Sequence, residues 1–596
     1  MASIDQTCFE KCAILISSTQ KGKTKMRFTQ AKTVLCIALL GAVISCSKAE
    51  KKKSSILIPL ALTGTENTFR SESSFVENSA NTRAPMLGPD TASADLNDTA
   101  SLSDPELLKN IQSNILDGDT DVEVNLPVTV TLLSGYSSAG SSIQNSYIAD
   151  SSGKKLYTRL TVSVNKITLI PQIRLQPGKS YTAVIGGVLS PEGKNFGNIK
   201  IHYKNTDLDY GLYWYGKNGV CEKYFPGVPN SFYNPSAKTV VFSHGWQNNS
   251  VGGTDAYGRS GFRYEMFYWS ENNFKGSPEL NGIQKFTNHS WIDKGWNTGI
   301  TYWNQFADDD LFGAEGKIWN LTAGPQGSRY RTMDSSGTVI YKNWDRKVKI
   351  NGLDKEVNSV GEMLSLFVVD ALKSNTSGNI RLVGHSLGNQ VITNIADYVN
   401  KAGIKINRIA LLDPAWTDGA KSYLPKVTQE DMNIQLNHNG AKALDAGSLG
   451  TNFWLVEYSR KILYTIMNRH WSTGIAVERY NSTPLNLYLP VMDENDRLSK
   501  QIAVMDVKPW YYSADQLGPK HISIRHHYFW SMESEAPAEC TVFLSIRKKT
   551  GNIAGSASTP DARIHEMMTT GYYYSQVEGR YTADPSDDWF EKKIKL

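Results

Sequence analysis

The stretch Arg381-Leu382-Val383-Gly384-His385-Ser386-Leu387-Gly388 constrains the fold more than any other part of this chain. An apolar run of strand character enters a Gly-x-Ser-x-Gly turn. It leaves as Leu387 to Ala402, where Val391, Ile392, Ile395 and Val399 share one helical face before Gly403. A serine at so sharp a strand-to-helix joint needs small residues two before and two after it, and Gly384 and Gly388 stand there. In a chain with 47 glycines the motif alone is weak, and its place at such a joint is what gives it weight. The same alternation continues on both sides. Strand-like runs at 238–244, 297–303, 379–384, 406–413 and 501–507 are separated by helix-like ones such as Glu356–Leu372. This predicts an α/β domain with a mostly parallel sheet. No period of roughly 20 to 50 residues repeats, which excludes solenoids and propellers.

Two further groups of residues flank the serine. Val240-Val241-Phe242-Ser243-His244-Gly245-Trp246 is an apolar strand ending in HG and an aromatic residue. A glycine there lets the loop bring the Trp246 N–H toward the carbonyl oxygen that the Leu387 N–H also reaches, as an oxyanion hole requires. Asp413, in Leu411-Leu412-Asp413-Pro414-Ala415, follows Ser386 by 27 residues, one helix and one strand. That spacing puts the carboxylate at the end of the strand next to the nucleophile's. HGW, GHSLG and LLDPA in this order resemble the pancreatic-lipase-like branch of the α/β-hydrolases, the lipases and phospholipases A1. The resemblance is strong over 238–246 and 379–416 and thin elsewhere. It implies Ser386 as nucleophile, Asp413 as triad acid, and Trp246 and Leu387 as backbone oxyanion donors.

A histidine after Asp413 must complete such a triad, and the residues leave several open: His438, His470, His521, His526, His527 and His565. His521 is favoured. It is expected in a loop, Gly518-Pro519-Lys520-His521, just before a helix-like ISIRHHYFWSME, and Tyr528, Phe529 and Ser531 fit the family's downstream spacing. The family's cysteine before the histidine is absent, and His526, His527 and His470 stay as alternatives. Asp308-Asp309-Asp310 with Glu315 is rich in oxygens but lacks the spacing of a calcium loop, and reads as an acidic turn before a helix. No metal or other cofactor is called for.

The beginning of the chain speaks of export. Thr33–Ser45 is the one segment apolar enough for a bilayer, and its 13 residues are too few to span one as a helix. Preceded by Met26, Arg27 and Lys32 and ending Val43-Ile44-Ser45-Cys46, it has the layout of a signal peptide. It resembles a bacterial lipobox, which implies cleavage before Cys46 and acylation of that residue. Residues 1–45 are thus read as an upstream segment with a lipoprotein signal. The Ser, Thr, Asn and Asp-rich stretch 46–105 reads as a tether. Residues 106–205, short β-branched runs between turn clusters, form an all-β sandwich resembling bacterial Ig-like domains, and 206–596 the α/β-hydrolase domain. With the early cysteines gone, Cys221 and Cys540 remain, and two thiols in an exported chain point to one disulfide.

Composition closes the list of functions. The 63 Lys and Arg against 58 Asp and Glu give a net charge of only +5, which offers no basic surface for nucleic acid. The expectation is a membrane-anchored, exported serine hydrolase without cofactor, acting on carboxylic esters, most naturally lipids. The rival is a surface adhesin or binding lipoprotein that keeps the hydrolase fold without its catalysis.

Overall fold

The computed structural model describes residues 99–101, 109–133, 135–138, 140–271, 282–322, 327–415, 462, 475–483, 499, 501–543 and 546–595. All lie in one compact unit, Arg70–Leu596. The signal, Cys46 and residues 46–98 of the expected tether, together with His438 and His470, fall outside the described residues; Thr99–Ser101, expected within that tether, is instead a strand paired in parallel with Asn198–Lys200.

Between Thr99 and Asn205 every strand belongs to one of three antiparallel or mixed sheets, of six, four and two strands. Asn198–Asn205 shows why: Ile199, Ile201, Tyr203 and Asn205 are buried while the residues between them face outward, the period of two that a half-buried strand requires. The buried faces of the two larger sheets meet in a single core that includes Val128, Val130, Ile148, Ile167, Leu169, Ala183 and Ile201. Polar residues join this sandwich to the C-terminal part of the chain. The Arg174 guanidinium lies 3.7 Å from the ring centres of both Tyr264 and Tyr302, and its Nε donates to Asp209 at 2.7 Å. Arg159 forks onto Glu222 at 2.7 and 2.8 Å.

That C-terminal part is built on one twelve-stranded mixed sheet. In chain order its strands are β1 (Gly211–Tyr215), β2 (Cys221–Lys223), β3 (Lys238–Ser243), β4 (Trp296–Tyr302), β5 (Ile380–His385), β6 (Arg408–Leu412), β7 (Ala476–Asn481), β8 (Ala503–Asp506), β9 (Ala538–Phe543), β10 (Ile546–Ile553), β11 (Tyr572–Glu578) and β12 (Trp589–Ile594). Their order across the sheet is β2-β1-β4-β3-β5-β6-β7-β8-β11-β12-β9-β10. The run β4-β3-β5-β6-β7-β8-β11 is parallel throughout; antiparallel pairs appear only toward the two edges. Every residue of β4, β5 and β6 is buried, as parallel strands covered on both faces must be. From β3 the chain steps outward to β4 and then returns past β3 to β5. That reversal makes the carboxyl ends of β3 and β5 the switch point of the sheet, the place where open α/β sheets hold their ligands.

Five helices of eight or more residues are described: α1 (Leu311–Trp319), α2 (Val360–Leu372), α3 (Gly388–Lys401), α4 (Leu517–Trp530) and α5 (Asp561–Thr569). Ser359 caps α2 by accepting from the Glu362 N–H at 2.8 Å, and Gly403, at φ 78°, lets the chain turn away after α3. The insertions Asn249–Lys294 and Gly313–Glu356 carry short two-stranded hairpins and, among the described residues, no amphipathic lid helix.

The expected disulfide is not formed. Cys221 and Cys540 are both free and buried. Cys221 starts β2 at one edge of the sheet, and Cys540 lies on β9, ten strand positions away. At about 4.8 Å per strand this is on the order of 50 Å along the sheet, whereas a disulfide needs Cα atoms within about 7 Å. Burial pushes the Cys221 thiol up to about 12, so it is inert as well as distant.

Candidate active site

Four parallel strands deliver their carboxyl ends to the same edge of the sheet. β5 ends at His385 and the next residue, Ser386, has φ 54°, a left-handed conformation unusual for a residue with a Cβ. Glycines make this turn possible. A Cβ on Gly384 stands 2.6 Å from the Gly388 carbonyl oxygen, one on Gly388 stands 2.2 Å from the Ser243 oxygen, and one on Gly245 stands 2.6 Å from the Ser386 Cβ. None of the three positions admits a side chain. α3 starts at Gly388, immediately behind the serine, and its first turn is tied to the elbow by the Asn389 N–H, which donates to the Ser386 carbonyl oxygen at 3.1 Å, and the Gln390 N–H, which donates to that of Leu387 at 3.0 Å.

Asn389 rivets the turn to the neighbouring strand. Its Nδ2 reaches the carbonyl oxygens of Ser386 and Leu412, both at 2.9 Å, and its Oδ1 accepts from the Leu412 N–H at 3.1 Å. The Ser386 N–H donates to Leu412 as well, at 3.0 Å. One residue beyond, Asp413 also has positive φ, 38°, a conformation Asp tolerates better than most residues. Its carboxylate is buried and well supplied with donors. Oδ1 accepts the Ser482 N–H at 2.7 Å, and Oδ2 takes the Ser482 hydroxyl and lies 3.1 Å from the His521 Nδ1. Ser482 follows β7 directly, and its Oγ is also 2.8 Å from the Lys520 carbonyl oxygen.

His521 is not in a loop, contrary to the sequence reading. It is the fifth residue of α4, which begins at Leu517. Pro519 falls within the first turn, where a missing N–H breaks no helical bond, so the Gly-Pro pair does not delay the helix. The structure brings Ser386, Asp413 and His521 to one edge and assigns other surroundings to the alternatives. His526 is buried against Trp269, rings 5.1 Å apart and 4° from parallel, and burial holds it well below the usual histidine range. His527 is buried on Asp588, Nε2 to Oδ2 2.7 Å. His565 lies on α5.

The loop after β3 packs directly against the serine turn through Gly245. Trp246 is half-buried, its indole N–H donating to the Asp309 carbonyl oxygen at 2.7 Å. His244 is fully buried and stacks on Trp303, 5.6 Å between centres and 9° between planes. Its Nδ1 is 2.9 Å from the Gly245 oxygen, and its Nε2 accepts the Trp303 N–H at 3.3 Å. Burial pushes this imidazole down to about 3, which keeps it a neutral brace for the loop. Among the described residues, neither the Trp246 N–H nor the Leu387 N–H donates to a protein acceptor.

The acidic turn is tied up by the protein itself. Asp308 accepts the N–H groups of Asn249 and Val251 and meets Arg331 at 2.9 Å. Asp309 holds Lys317 at 2.7 Å and the Arg329 guanidinium, and Asp310 caps α1 through the Gly313 N–H. Glu315 accepts from Gln390 at 2.7 Å. The described residues contain no cluster of metal-ligating side chains, and none of their helices is long and apolar enough to cross a membrane.

Ser482 and Asn389 are the residues that sequence reasoning missed. Asn389 sits three residues past the serine on the recognised helix, and that spacing was the available signal. Ser482 gave none, because the strand before it reads Ala-Val-Glu-Arg-Tyr-Asn. Its charged centre is buried through Arg408, which neutralises Glu478 with both side chains fully enclosed.

No protein-family model matches the chain, and no curated protein does. Solved structures match in part. A poly(3-hydroxybutyrate) depolymerase from Bordetella parapertussis is 11% identical over 50% of this chain and 77% of that one, with a TM-score of 0.20. A thioesterase domain from the curacin biosynthetic pathway is 11% identical over 53% of this chain and all of that one, at 0.22. The N-terminal part of the bacterial S-layer protein SbsC is 19% identical over 18% of this chain, at 0.14, and this chain spans 27% of its length. Likenesses this faint say nothing about what the chain does, which leaves its own residues to speak for it.

Proposed function

We propose that the chain is a serine hydrolase of carboxylic esters. The observation that carries this reading is Ser386 at φ 54° on a strand-to-helix turn where glycine is obligatory, on the same sheet edge as a hydrogen-bonded His521–Asp413 pair. Ser386 Oγ attacks the ester carbonyl carbon as its proton passes to His521 Nε2. The C=O electron pair moves to oxygen, where the N–H groups of Trp246 and Leu387 stabilise the oxyanion. The imidazolium, held through Nδ1–H by Asp413, then gives its proton to the departing alkoxide. Water, deprotonated by the same histidine, attacks the acyl-serine and releases the acid.

Within this reading we take the substrate to be a lipid ester, on the strength of the HGW, GHSLG and LLDPA strings. Residues 106–205 are proposed as an Ig-like spacer, and Cys46 as the acylated anchor that holds an exported protein at a bacterial membrane. The test is turnover of p-nitrophenyl esters of increasing acyl length, followed by triacylglycerol and phospholipid, by wild type and Ser386→Ala. Hydrolysis lost by about 10⁴-fold in the variant supports the assignment. Equal rates in the two proteins refute it.

A further inference from the structure

His385, the last residue of β5, precedes the proposed nucleophile, and its side chain has a partner of its own. It is buried, with 5% of its surface exposed, and its Nε2 lies 2.8 Å from the main-chain oxygen of His521. Its ring sits 4.6 Å from the His521 ring, tilted by 40°. A carbonyl oxygen only accepts, so Nε2 carries the proton. The bond is additional to the helix. The His521 carbonyl has two lone pairs, and one can serve the α4 ladder while the other takes His385. The first turn of α4 is thereby fastened to the residue adjoining Ser386.

The protonation state of His385 also suits its place. Burial, with the neighbouring His521 ring acting in the same direction, pushes it down to about 3, so it is neutral across the range in which an ester hydrolase works. A cation beside His521 opposes the imidazolium that forms when His521 takes the serine proton; a neutral donor does not.

We propose that His385 is a positioning residue for His521, an inference that rests on the reading of Ser386 and His521 above. Its N–H holds the His521 carbonyl and its ring braces the imidazole, registering the base against the nucleophile through the residue next to it in sequence. A misplacement of about 1 Å in such a site costs on the order of 100-fold in rate.

The test uses the full chain and three variants. His385→Phe keeps a flat ring and removes the donor, His385→Asn keeps a donor on a shorter side chain, and Ser386→Ala reports on the ester reading. Two quantities are measured, kcat and KM on a soluble p-nitrophenyl ester, and hydrogen–deuterium exchange of the peptides spanning 516–523 and 524–531, which cover the start and the end of α4. His385→Phe is expected to lower kcat by about 10- to 100-fold with KM within about twofold. Its first-turn amides exchange about three- to tenfold faster while the last turn of α4 is unchanged. His385→Asn recovers part of both. If either readout stays at the wild-type value in His385→Phe, or exchange rises equally along all of α4, the positioning role is overturned. If wild type and Ser386→Ala are equally inactive, the hydrolase reading fails by itself, and the exchange comparison still decides whether His385 holds His521.

Discussion

α4 carries two histidine–aspartate pairs six residues apart. At its start His521 meets Asp413 at 3.1 Å; near its end His527 meets Asp588 at 2.7 Å. The first pair stands at the carboxyl edge of the parallel strands, with the His521 side chain 16% exposed and its carboxylate fed by Ser482. The second is enclosed, at 4% and 1%, with Gln576 as the other donor to Asp588 and no protein partner for the His527 Nδ1 among the described residues. Burial pushes the Asp588 carboxyl up while His527 pulls it back. A carboxylate beside an imidazole therefore does not make a base. What separates the pairs is the strand edge: His521 stands beside the Ser386 turn, where the proposed reaction needs a base, whereas His527 is enclosed away from it.

Substitutions should separate the two pairs cleanly. His521→Ala is expected to lower kcat by about 10³- to 10⁴-fold with little change in the urea unfolding midpoint, and Asp413→Asn to fall in the same range. His527→Ala should do the reverse. It strands a buried carboxylate and costs about 2–5 kcal/mol of stability, while kcat per folded molecule stays within about twofold. Urea unfolding and ester kinetics on the same preparations check both, and a His527→Ala protein that is stable but inactive would give His527 a part in the chemistry.

Acid sharpens the contrast between buried imidazoles and ordinary ones. His244 and His385 are held near 3 in the folded protein by burial, against about 6.5 in an unfolded chain. Between those values the unfolded state binds more protons, so their contribution to stability falls as pH drops from about 6.5 toward 3 and is constant above. Each contributes a slope of up to about 1.4 kcal/mol per pH unit. Unfolding midpoints at pH 4 to 7 should flatten by about one histidine in His385→Asn. The smallest effect is expected of Ser482→Ala, which removes the hydroxyl from Asp413 and keeps the N–H: a fall in kcat of about tenfold or less, with KM unchanged.

The sequence made the central part of the sheet and the serine turn legible because both are local. Five of its strands agree within about two residues at each end with the runs read from the sequence, since apolar and β-branched residues predominate in each, and the glycines of GHSLG announce their own steric need. β7 is hidden by Glu478 and Arg479, charges that make sense only in three dimensions: Glu478 pairs with Arg408 of the neighbouring strand, and Arg479 donates to Asn481 and Ser499. The disulfide expectation failed for a similar reason. Counting thiols says nothing of the ten strand positions between β2 and β9. Choosing among histidines also needed three dimensions, because His521, His526 and His527 share a helix and only the direction of each side chain tells them apart.

The most direct measurement of the central claim, that Ser386 is an activated nucleophile, is intact mass after exposure of the folded protein to a fluorophosphonate. An activated Ser386 predicts one adduct, mapped to that residue, absent from Ser386→Ala, strongly slowed in His521→Ala and retained in His527→Ala. No adduct on folded wild type, or an adduct that persists in Ser386→Ala, contradicts it.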